Sequence, residues 1–254
     1  MIQIGSASNE HFKRWRDLSS SKGIRKHGEF ILMGEKLIEE FRHQPGDWKI
    51  HAEILTEGLT SLWPEHDRDP RTPKRYFLAK ELFKEVDVMG THFNLLVLEA
   101  PTWETADLSN PAQGLELVCP LGDPSNLGAI VRSAVAFDAT ALILTSESAN
   151  PLHPKAVKAS AGAVLRTKFL RGPSLKDYQA SGESWALDMK GDSVGDLKWP
   201  DHFRLIVGEE GPGLPELPGV RRISVPTRGV ESLNATVAAS IALFDWKRQT
   251  FSRP

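Results

Sequence analysis

The chain has 254 residues, of which 40% are hydrophobic and 25% charged, and its 31 basic residues nearly balance 33 acidic ones. This composition is typical of a globular protein of one or two domains and excludes collagen, long coiled coils and disordered chains. The single cysteine, Cys119, excludes an intramolecular disulfide and a cysteine-rich zinc cluster, and we expect no bound metal.

No run of the sequence approaches the roughly 18 apolar residues that a membrane-spanning helix needs. The first residues, Met1 to Ser6, lack the charged and apolar regions of a signal peptide. We therefore expect a cytoplasmic protein that does not enter a membrane.

The first hundred residues predict a small α/β module. The elements expected in chain order are a helix over residues 9–20, a strand over 30–33, a helix over 35–41, and strands over 50–55 and 95–98. In the first helix, Phe12, Trp15 and Leu18 have the spacing of one buried face. Residues 56–75 contain three prolines and predict a loop-rich segment.

A linker is predicted in the middle of the chain. Residues 101–114 are polar, contain Pro101 and Pro111, and show neither strand nor helix periodicity. We therefore expect an amino-terminal domain at 1–100, a linker at 101–113 and a carboxyl-terminal domain at 114–254.

The second half alternates strands with helices. Strands are expected over residues 115–119, 141–144, 205–207 and 223–225, and helices over residues 128–137 and 233–247. Short apolar runs rich in branched residues are typical of buried parallel strands. In the last helix, Leu233, Val237, Ile241 and Phe244 are aligned. The alternation predicts an α/β fold with a largely parallel sheet.

Two stretches are basic although the net charge is −2. Residues 11–27 contain six Lys or Arg and one acid, Asp17, and residues 155–176 contain six and no acid. Each stretch is either a solvated surface or a phosphate-binding patch.

Three loops rich in Gly, Pro and small polar residues follow three predicted strands. Ligands bind at the carboxyl ends of strands in open parallel sheets, so these loops are expected to converge on one pocket. In the first loop, Asn126 stands where a side chain could cap the next helix, and Arg132 either leans back to the loop or forms a surface salt bridge.

The second loop, residues 208–215, is neither a phosphate-binding Walker loop, since no Lys follows its last Gly, nor a dinucleotide fingerprint, since its prolines prevent an immediate helix. It is either an ordinary turn or a site where a ligand approaches bare backbone. In the third loop, Ser232 or Asn234 could cap the last helix, and for Ser232 alone we favour that role.

Together the three loops resemble the motifs of the SpoU-type (TrmH-like) RNA 2′-O-ribose methyltransferases of the SPOUT superfamily. The matching segments are Asp123-Pro-x-Asn126-Leu-Gly128-Ala-Ile-x-Arg132, Gly208-x-Glu210-Gly211-x-Gly213-Leu214 and Pro226-x-x-Gly229-x-x-Ser232-Leu233-Asn234. Residues 158–163 and 28–40 are also similar to the family, so the likeness covers the carboxyl-terminal half and the first ~45 residues of the other.

The resemblance implies a carboxyl-terminal SPOUT domain with a deep trefoil knot, and an amino-terminal domain like a ribosomal protein that binds RNA. It implies that S-adenosylmethionine is bound in the knot and that the protein is a homodimer whose sites are completed by the partner subunit. The cofactor-binding residues carried over from the motifs are Gly208, Glu210, Gly211, Gly213, Val225 and Leu233. The small residues Ala235, Ala238, Ala239 and Ala242 suit either a dimer contact or an ordinary core.

The catalytic residues that the resemblance implies are Asn126, Arg132, Glu210, Ser232 and Asn234. The family's arginine matching Arg132 is proposed as the base, but a guanidinium normally stays protonated, so phosphate binding and alkoxide stabilisation are the other role. Asn126, Ser232 and Asn234 would position the arginine, the hydroxyl or the cofactor.

The resemblance thus predicts a methyltransferase acting on a ribose 2′-hydroxyl, with large-subunit rRNA preferred as substrate and tRNA second. The alternative to an enzyme is a non-catalytic RNA-binding protein of the same fold. Two departures stand out: Gly90 to Asn94 replace a Gln-Gly common in the family, and Thr227 stands where Met is frequent. The first lies in the amino-terminal half, which is expected to select the RNA.

Overall fold

The computed structural model describes residues 1–63, 72–208 and 213–251. Its strands are β1 (Ile2–Ile4), β2 (Glu29–Leu32), β3 (Ile50–Leu55), β4 (Lys74–Leu78), β5 (Leu95–Glu99), β6 (Leu115–Cys119), β7 (Ala141–Leu144), β8 (Phe169–Arg171), β9 (Ser184–Ser193), β10 (Phe203–Ile206) and β11 (Arg221–Ser224). Its helices are α1 (Glu10–Asp17), α2 (Ser21–His27), α3 (Glu35–His43), α4 (Lys80–Val86), α5 (Pro124–Ala136), α6 (Pro154–Ala159) and α7 (Ala235–Phe251).

The chain forms two compact units. The first comprises Met1–Thr102 with Leu152–Lys158, and the second comprises Trp103–Pro151 with Ala159–Pro254. In the first unit, five described strands form a sheet in the order β1-β4-β3-β5-β2. The pairs β1–β4 and β3–β4 are parallel, and the pairs β3–β5 and β2–β5 are antiparallel.

The first predicted helix is divided in two. Phe12, Trp15 and Leu18 are fully buried, as their spacing predicts, but α1 ends at Asp17. The Ser20 hydroxyl then accepts a hydrogen bond from Gly23 N at 3.1 Å and caps α2. A Cβ at Gly23 would lie 1.9 Å from Asp17 O, so the two helices approach each other more closely than any larger residue permits.

Part of the segment predicted to be loop is a strand. β4 begins at Lys74 and pairs in parallel with both β1 and β3. Alternation supports the strand, because Tyr76 and Leu78 are buried whereas Arg75 and Phe77 are only partly buried. The prediction of loop for residues 56–75 was wrong at Lys74 and Arg75. Pro73 is typical of a loop but here directly precedes a strand, and the strand's partners β1 and β3 are distant in sequence.

In the second unit, six described strands form a sheet in the order β11-β9-β10-β6-β7-β8, and the pairings recorded between them are all parallel. The α/β fold with a mainly parallel sheet is therefore as predicted. Because the strands are parallel, their carboxyl ends lie at the same edge of the sheet. Cys119, at the end of β6, is fully buried, and burial raises the pKa of its thiol to about 12.

A buried arginine ties the predicted linker to this sheet. Arg204, only 2% exposed, donates from Nε to Glu116 Oε2 at 2.8 Å. Its other nitrogens donate to the carbonyls of Asn110 and Ser181 at 2.8 and 3.2 Å. Thr105 also pairs in parallel with Arg171 at the outer side of β8. Residues of the predicted linker are thus ordered against the second unit.

The last helix packs on α5, but with a different face from the predicted one. Its buried side chains are Thr236, Ala239, Ala242, Leu243 and Trp246. The predicted positions Val237, Ile241 and Phe244 are instead 47%, 38% and 55% exposed. Trp199 donates from Nε1 to Asp245 at 2.8 Å and Trp246 donates to Pro200 O at 3.2 Å, so aromatic residues fix the inner face. Ala239 and Ala242 therefore belong to the core.

Within the described residues, no helix combines the length and the apolar character that crossing a bilayer would demand.

Replacing Arg204 by Met should lower the free energy of unfolding by about 3–5 kcal/mol, because the Glu116 carboxylate, only 13% exposed, is then left without a countercharge. Urea unfolding followed by circular dichroism measures this loss. Arg221→Met is the control, since Arg221 and its partner Asp192 are 46% and 60% exposed and such pairs contribute at most about 1 kcal/mol. Equal losses in the two variants would contradict the role of Arg204 as an anchor.

Candidate functional site

A cleft of about 740 Å³ lies at the carboxyl ends of β9, β10 and β11. Three segments that are distant in sequence line it. They contribute Leu187, Asp188 and Met189 from β9; Gly208, Gly213 and Leu214 after β10; and Ser224, Val225, Pro226, Thr227, Glu231, Ser232, Leu233, Asn234, Ala235 and Ala238 from the end of β11 to the start of α7.

The first wall is a bulge in β9. Ala186 pairs with Arg222, and the next paired residue, Asp192, faces Ile223, so residues 187–191 loop out between them. At the bulge's end a Cβ on Gly191 would lie 2.3 Å from Ile223 N, and the Ser224 hydroxyl donates to Gly191 O at 2.9 Å. Glycine is therefore needed at position 191, where β9 pairs with β11 again. Of the residues that loop out, Leu187, Asp188 and Met189 form the first wall of the cleft.

The second wall comes from the loop after β10. A Cβ on Gly208 would lie 3.3 Å from Leu187 O and 3.8 Å from Leu214 Cγ, so glycine here leaves bare backbone facing the cleft. Gly213 has a φ of +71°, a conformation that favours glycine. Two predicted site residues of this loop, Glu210 and Gly211, lie outside the described residues.

The third wall ends in the cap of α7. Asn234 Oδ1 accepts hydrogen bonds from Thr236 N at 2.9 Å and Val237 N at 3.3 Å, and Asn234 O accepts one from Ala238 N. Asn234, one of the two residues predicted as the cap, therefore has that role, and the capping role predicted for Ser232 was wrong. Ser232 is exposed at the cleft, beside the partly buried Leu233.

The first motif lies against the third without lining the cleft. α5 begins at Pro124, and Asp123 Oδ1 accepts from Asn126 N at 2.9 Å, so Asp123 is the cap and the prediction of that role for Asn126 was wrong. Thr236 Oγ1 donates to Asn126 O at 3.2 Å and brings the starts of α5 and α7 together. Arg132 is exposed on α5 and is not among the residues lining the cleft.

A charged pair that the motifs do not contain stands in the cleft wall. Asp188 lines the cleft and is bound by the Arg222 guanidinium. Burial works to raise the pKa of Asp188, but the Lys190 backbone N–H and the Arg222 guanidinium outweigh it, and the pKa lies below its usual value. The carboxylate is therefore ionised at neutral pH.

Sequence reasoning missed this wall because β9 was not predicted. Its apolar run, Trp185 to Leu187, is followed by the charged residues Asp188 and Lys190, with Met189 between them, and then by Gly191. The available signal was Gly191 placed soon after a short apolar run, since an isolated glycine in a strand pattern indicates a bulge.

Among the residues that the structure describes, no group of three or more His, Cys, Asp or Glu side chains is arranged to hold a metal ion.

A family model described as the SpoU rRNA Methylase family matches residues 117–244. A Syntrophobacter fumaroxidans protein named ribosomal RNA small subunit methyltransferase G 2 is 37% identical, over 97% of this chain and 49% of its own length. The 23S rRNA (guanosine(2553)-2'-O)-methyltransferase RlmP of Bacillus subtilis is 28% identical, over 96% of this chain and 98% of its own. The chain thus spans about half of the first relative and nearly all of the second.

Among solved structures, the SpoU methyltransferase AviRb from Streptomyces viridochromogenes, in complex with AdoMet, superposes with a TM-score of 0.79. It is 24% identical and the match covers 97% of this chain and 100% of that one. At this identity, the likeness establishes the α/β fold with its mainly parallel sheet.

Replacing Gly191 by Ala should lower the free energy of unfolding by about 1–3 kcal/mol, because the new methyl group overlaps the β11 backbone. Thermal and urea unfolding measure the change. Gly195→Ala is a matched control, since the nearest atom to a Cβ there is Ser193 Oγ at 3.6 Å. A Gly191→Ala variant as stable as the control would show that the bulge does not depend on this close approach.

Proposed function

Because this chain belongs to the SpoU rRNA methylase family, we propose that it transfers a methyl group from S-adenosylmethionine to a ribose 2′-hydroxyl of RNA, and that its substrate is large-subunit rRNA. The observation that carries the proposal is the cleft at the carboxyl ends of β9, β10 and β11. Gly208, Gly213, Val225 and Leu233, which the motifs assign to the cofactor, all line it. The names of RlmP and AviRb supply the reaction and the cofactor.

The cleft fits a nucleoside cofactor in size and in lining. Its volume of about 740 Å³ lies within the range of roughly 300–1,000 Å³ for small-molecule sites. Leu187, Leu214 and Leu233 offer apolar contact to an adenine ring, and the bare backbone of Gly208 allows close approach. We assign the cofactor contacts carried over from the motifs to the second and third walls, together with Glu210 and Gly211 of the loop after β10, and a further apolar contact to Leu187 of the first wall.

When bound, S-adenosylmethionine supplies a methyl group that its sulfonium already makes electrophilic. The chain must orient the ribose hydroxyl toward that methyl group and stabilise the charge that appears on the hydroxyl oxygen as its proton passes to water. We assign the charge stabilisation to Arg132, whose guanidinium also suits a phosphate. Ser232 and Asn234 lie in the cleft wall, where they position the hydroxyl or the cofactor, and Asn126 supports Arg132 from the first turn of α5.

Exposed basic residues support RNA as the substrate. The cations of residues 155–176 are Lys155, Lys158, Arg166, Lys168, Arg171 and Lys176. All six are exposed, and none has a recorded ion pair with another described residue. Unpaired surface cations are available to phosphates. We assign residues 1–100 to an RNA-selecting domain, where α1 and α2 expose further Lys and Arg, and place the enzyme in the cytoplasm, where rRNA is assembled.

The proposal of rRNA rather than tRNA rests on the family model and on the RlmP match across both units. tRNA is the second candidate substrate. A non-catalytic RNA-binding protein is disfavoured, because the described motif residues Asn126, Arg132, Ser232 and Asn234 are all present together with an open cleft.

We also propose a trefoil knot in the chain that follows β10. Supporting it, β11 pairs with β9, on the far side from β6, and α7 then returns to pack on α5, the helix that follows β6. Such a path crosses earlier segments of the same chain, which ordinary α/β connections avoid.

A homodimer would cover the exposed apolar face of α7. Val237, Ile241 and Phe244 lie three or four residues apart and so share one side of the helix. A contiguous apolar face in a water-exposed position is typical of an interface. Arg132 is exposed outside its own cleft, which suits a site completed by a second subunit.

The enzyme assignment predicts that the protein transfers tritium from labelled S-adenosylmethionine to ribosomal RNA. Because a methylated ribose oxygen cannot attack the neighbouring phosphate, alkaline digestion should leave the label in alkali-resistant dinucleotides. Label only in mononucleotides would overturn the ribose assignment. Transfer to tRNA but not to rRNA would favour the second substrate. No cofactor binding by calorimetry would favour the non-catalytic alternative.

Arg132→Ala should abolish this transfer while leaving S-adenosylmethionine affinity unchanged, because Arg132 does not line the cleft. The matched control is Arg221→Ala, an exposed arginine paired with Asp192, which should retain activity. Near-normal turnover in Arg132→Ala would refute its role.

Ile241→Asp should convert the dimer to the 28.1 kDa monomer, because a carboxylate cannot be buried in an apolar contact without a partner. Sedimentation velocity measures the change. Val88→Asp, at a residue 46% exposed in the first unit, is the control and should leave the dimer intact.

A mixing experiment tests whether sites are shared. Arg132→Ala and Gly208→Leu should each be inactive, but after unfolding and refolding together they should recover about a quarter of wild-type activity, since half of the dimers are mixed and each holds one complete site. No recovery would place each site within one subunit.

A further inference from the structure

Arg222 joins two walls of the cleft that are otherwise far apart in sequence. Its Nη1 binds the Asp188 carboxylate in the β9 bulge, and its Nη2 donates to Pro215 O at 2.9 Å in the loop after β10. Asp188 is 15% exposed and Arg222 30%, whereas Glu216, whose carboxylate lies 4.0 Å from Arg222, is fully exposed. Arg222 is therefore held in place by its contacts to Asp188 and Pro215, and the contact to the exposed Glu216 carboxylate contributes little.

The same geometry leaves Asp188 able to bind a ligand. Oδ1 accepts a hydrogen bond from Lys190 N at 3.0 Å, Oδ2 accepts one from Arg222, and the Met189 backbone N–H also donates to the carboxylate. A carboxylate has about four acceptor positions, so about one remains. Because Asp188 lines the cleft and is ionised, this position suits a donor on the bound molecule, either a hydroxyl or an ammonium group.

We propose that Asp188 is a cofactor-binding residue, accepting a hydrogen bond from a hydroxyl or ammonium group of S-adenosylmethionine, and that Arg222 is the positioning residue that holds it in place. This inference rests on the proposed function. It concerns residues outside the three motifs, since Asp188 lies in the β9 bulge and Arg222 precedes the third motif.

Arg222 and its neighbour Arg221 provide an internal comparison. Arg221 binds Asp192 at 2.7 Å and lies 4.9 Å from the centre of the Trp185 ring, and neither of these two partners is among the residues that line the cleft. The two arginines are neighbours in β11 and differ in their partners, since Arg221 binds Asp192 whereas Arg222 binds Asp188 and Pro215 O. Arg221→Gln therefore removes an equivalent surface charge without touching Asp188.

The test is S-adenosylmethionine affinity by calorimetry in the full chain. Asp188→Asn and Arg222→Gln should each raise the Kd about tenfold, as the loss of one charge-assisted hydrogen bond predicts. The double variant should be no weaker than either single variant, because both changes remove the same contact. Arg221→Gln should bind within about twofold of wild type.

Two further measurements separate this role from a general loss of structure. In the ligand-free protein, Arg222→Gln should accelerate amide hydrogen exchange in residues 187–191 and 213–216 while leaving α5 and the first unit protected. The KM for RNA should stay within about twofold of wild type in the three single variants.

Wild-type affinity in Asp188→Asn or Arg222→Gln, or additive losses in the double variant, would overturn the inference. So would a KM for RNA that rises in parallel with the Kd. These outcomes leave the proposed function intact, because they presuppose that the wild-type chain binds the cofactor. Failure of the wild-type chain to bind S-adenosylmethionine would overturn the proposed function and this inference with it.

Discussion

The packing of α7 on α5 is the contact on which the candidate site depends. The Thr236 hydroxyl donates to Asn126 O and joins the first turns of the two helices. Further along, the Ser133 and Ser240 hydroxyls lie 2.8 Å apart. These contacts join residues more than a hundred positions apart in sequence. Without this contact, the first motif and the third would belong to separate parts of the sheet. The packing is close because Ala239 and Ala242 occupy the inner face of α7.

The cleft itself is built from interruptions of regular structure. The β9 bulge removes residues 187–191 from the ladder, and Gly208 exposes backbone after β10. Asn234 ends the third loop by capping α7. Each interruption places polar backbone or side-chain groups at the carboxyl edge of a parallel sheet, where neighbouring loops face the same space. Arg222 then binds both Asp188 in the bulge and Pro215 O in the loop after β10, so it connects the first wall to the second.

Several errors of prediction share one cause, which is that a local pattern does not identify its partner. α7 has apolar residues on more than one side, so periodicity aligned Leu233, Val237, Ile241 and Phe244 while the core took Ala239, Leu243 and Trp246. Helix α1 stops at Asp17 because α2 packs against it at Gly23. The sequence did not predict β9 because its apolar run ends where the bulge begins.

The order of motifs, the alternation of strands and helices, and the short apolar strands β6, β7 and β10 could be read from the sequence, because burial between helices requires continuous apolar runs. The same reading placed Gly208, Gly213, Val225, Ser232, Leu233 and Asn234 in one site, and all of them line the cleft. Tertiary structure alone decided that Asp123 caps α5, that Asn234 rather than Ser232 caps α7, that Arg132 is exposed and does not line the cleft, and that Asp188 lines it while bound to Arg222. The reason is physical: a residue's type and spacing fix its local conformation, whereas the neighbour it meets across the sheet depends on strand order, which no local pattern contains.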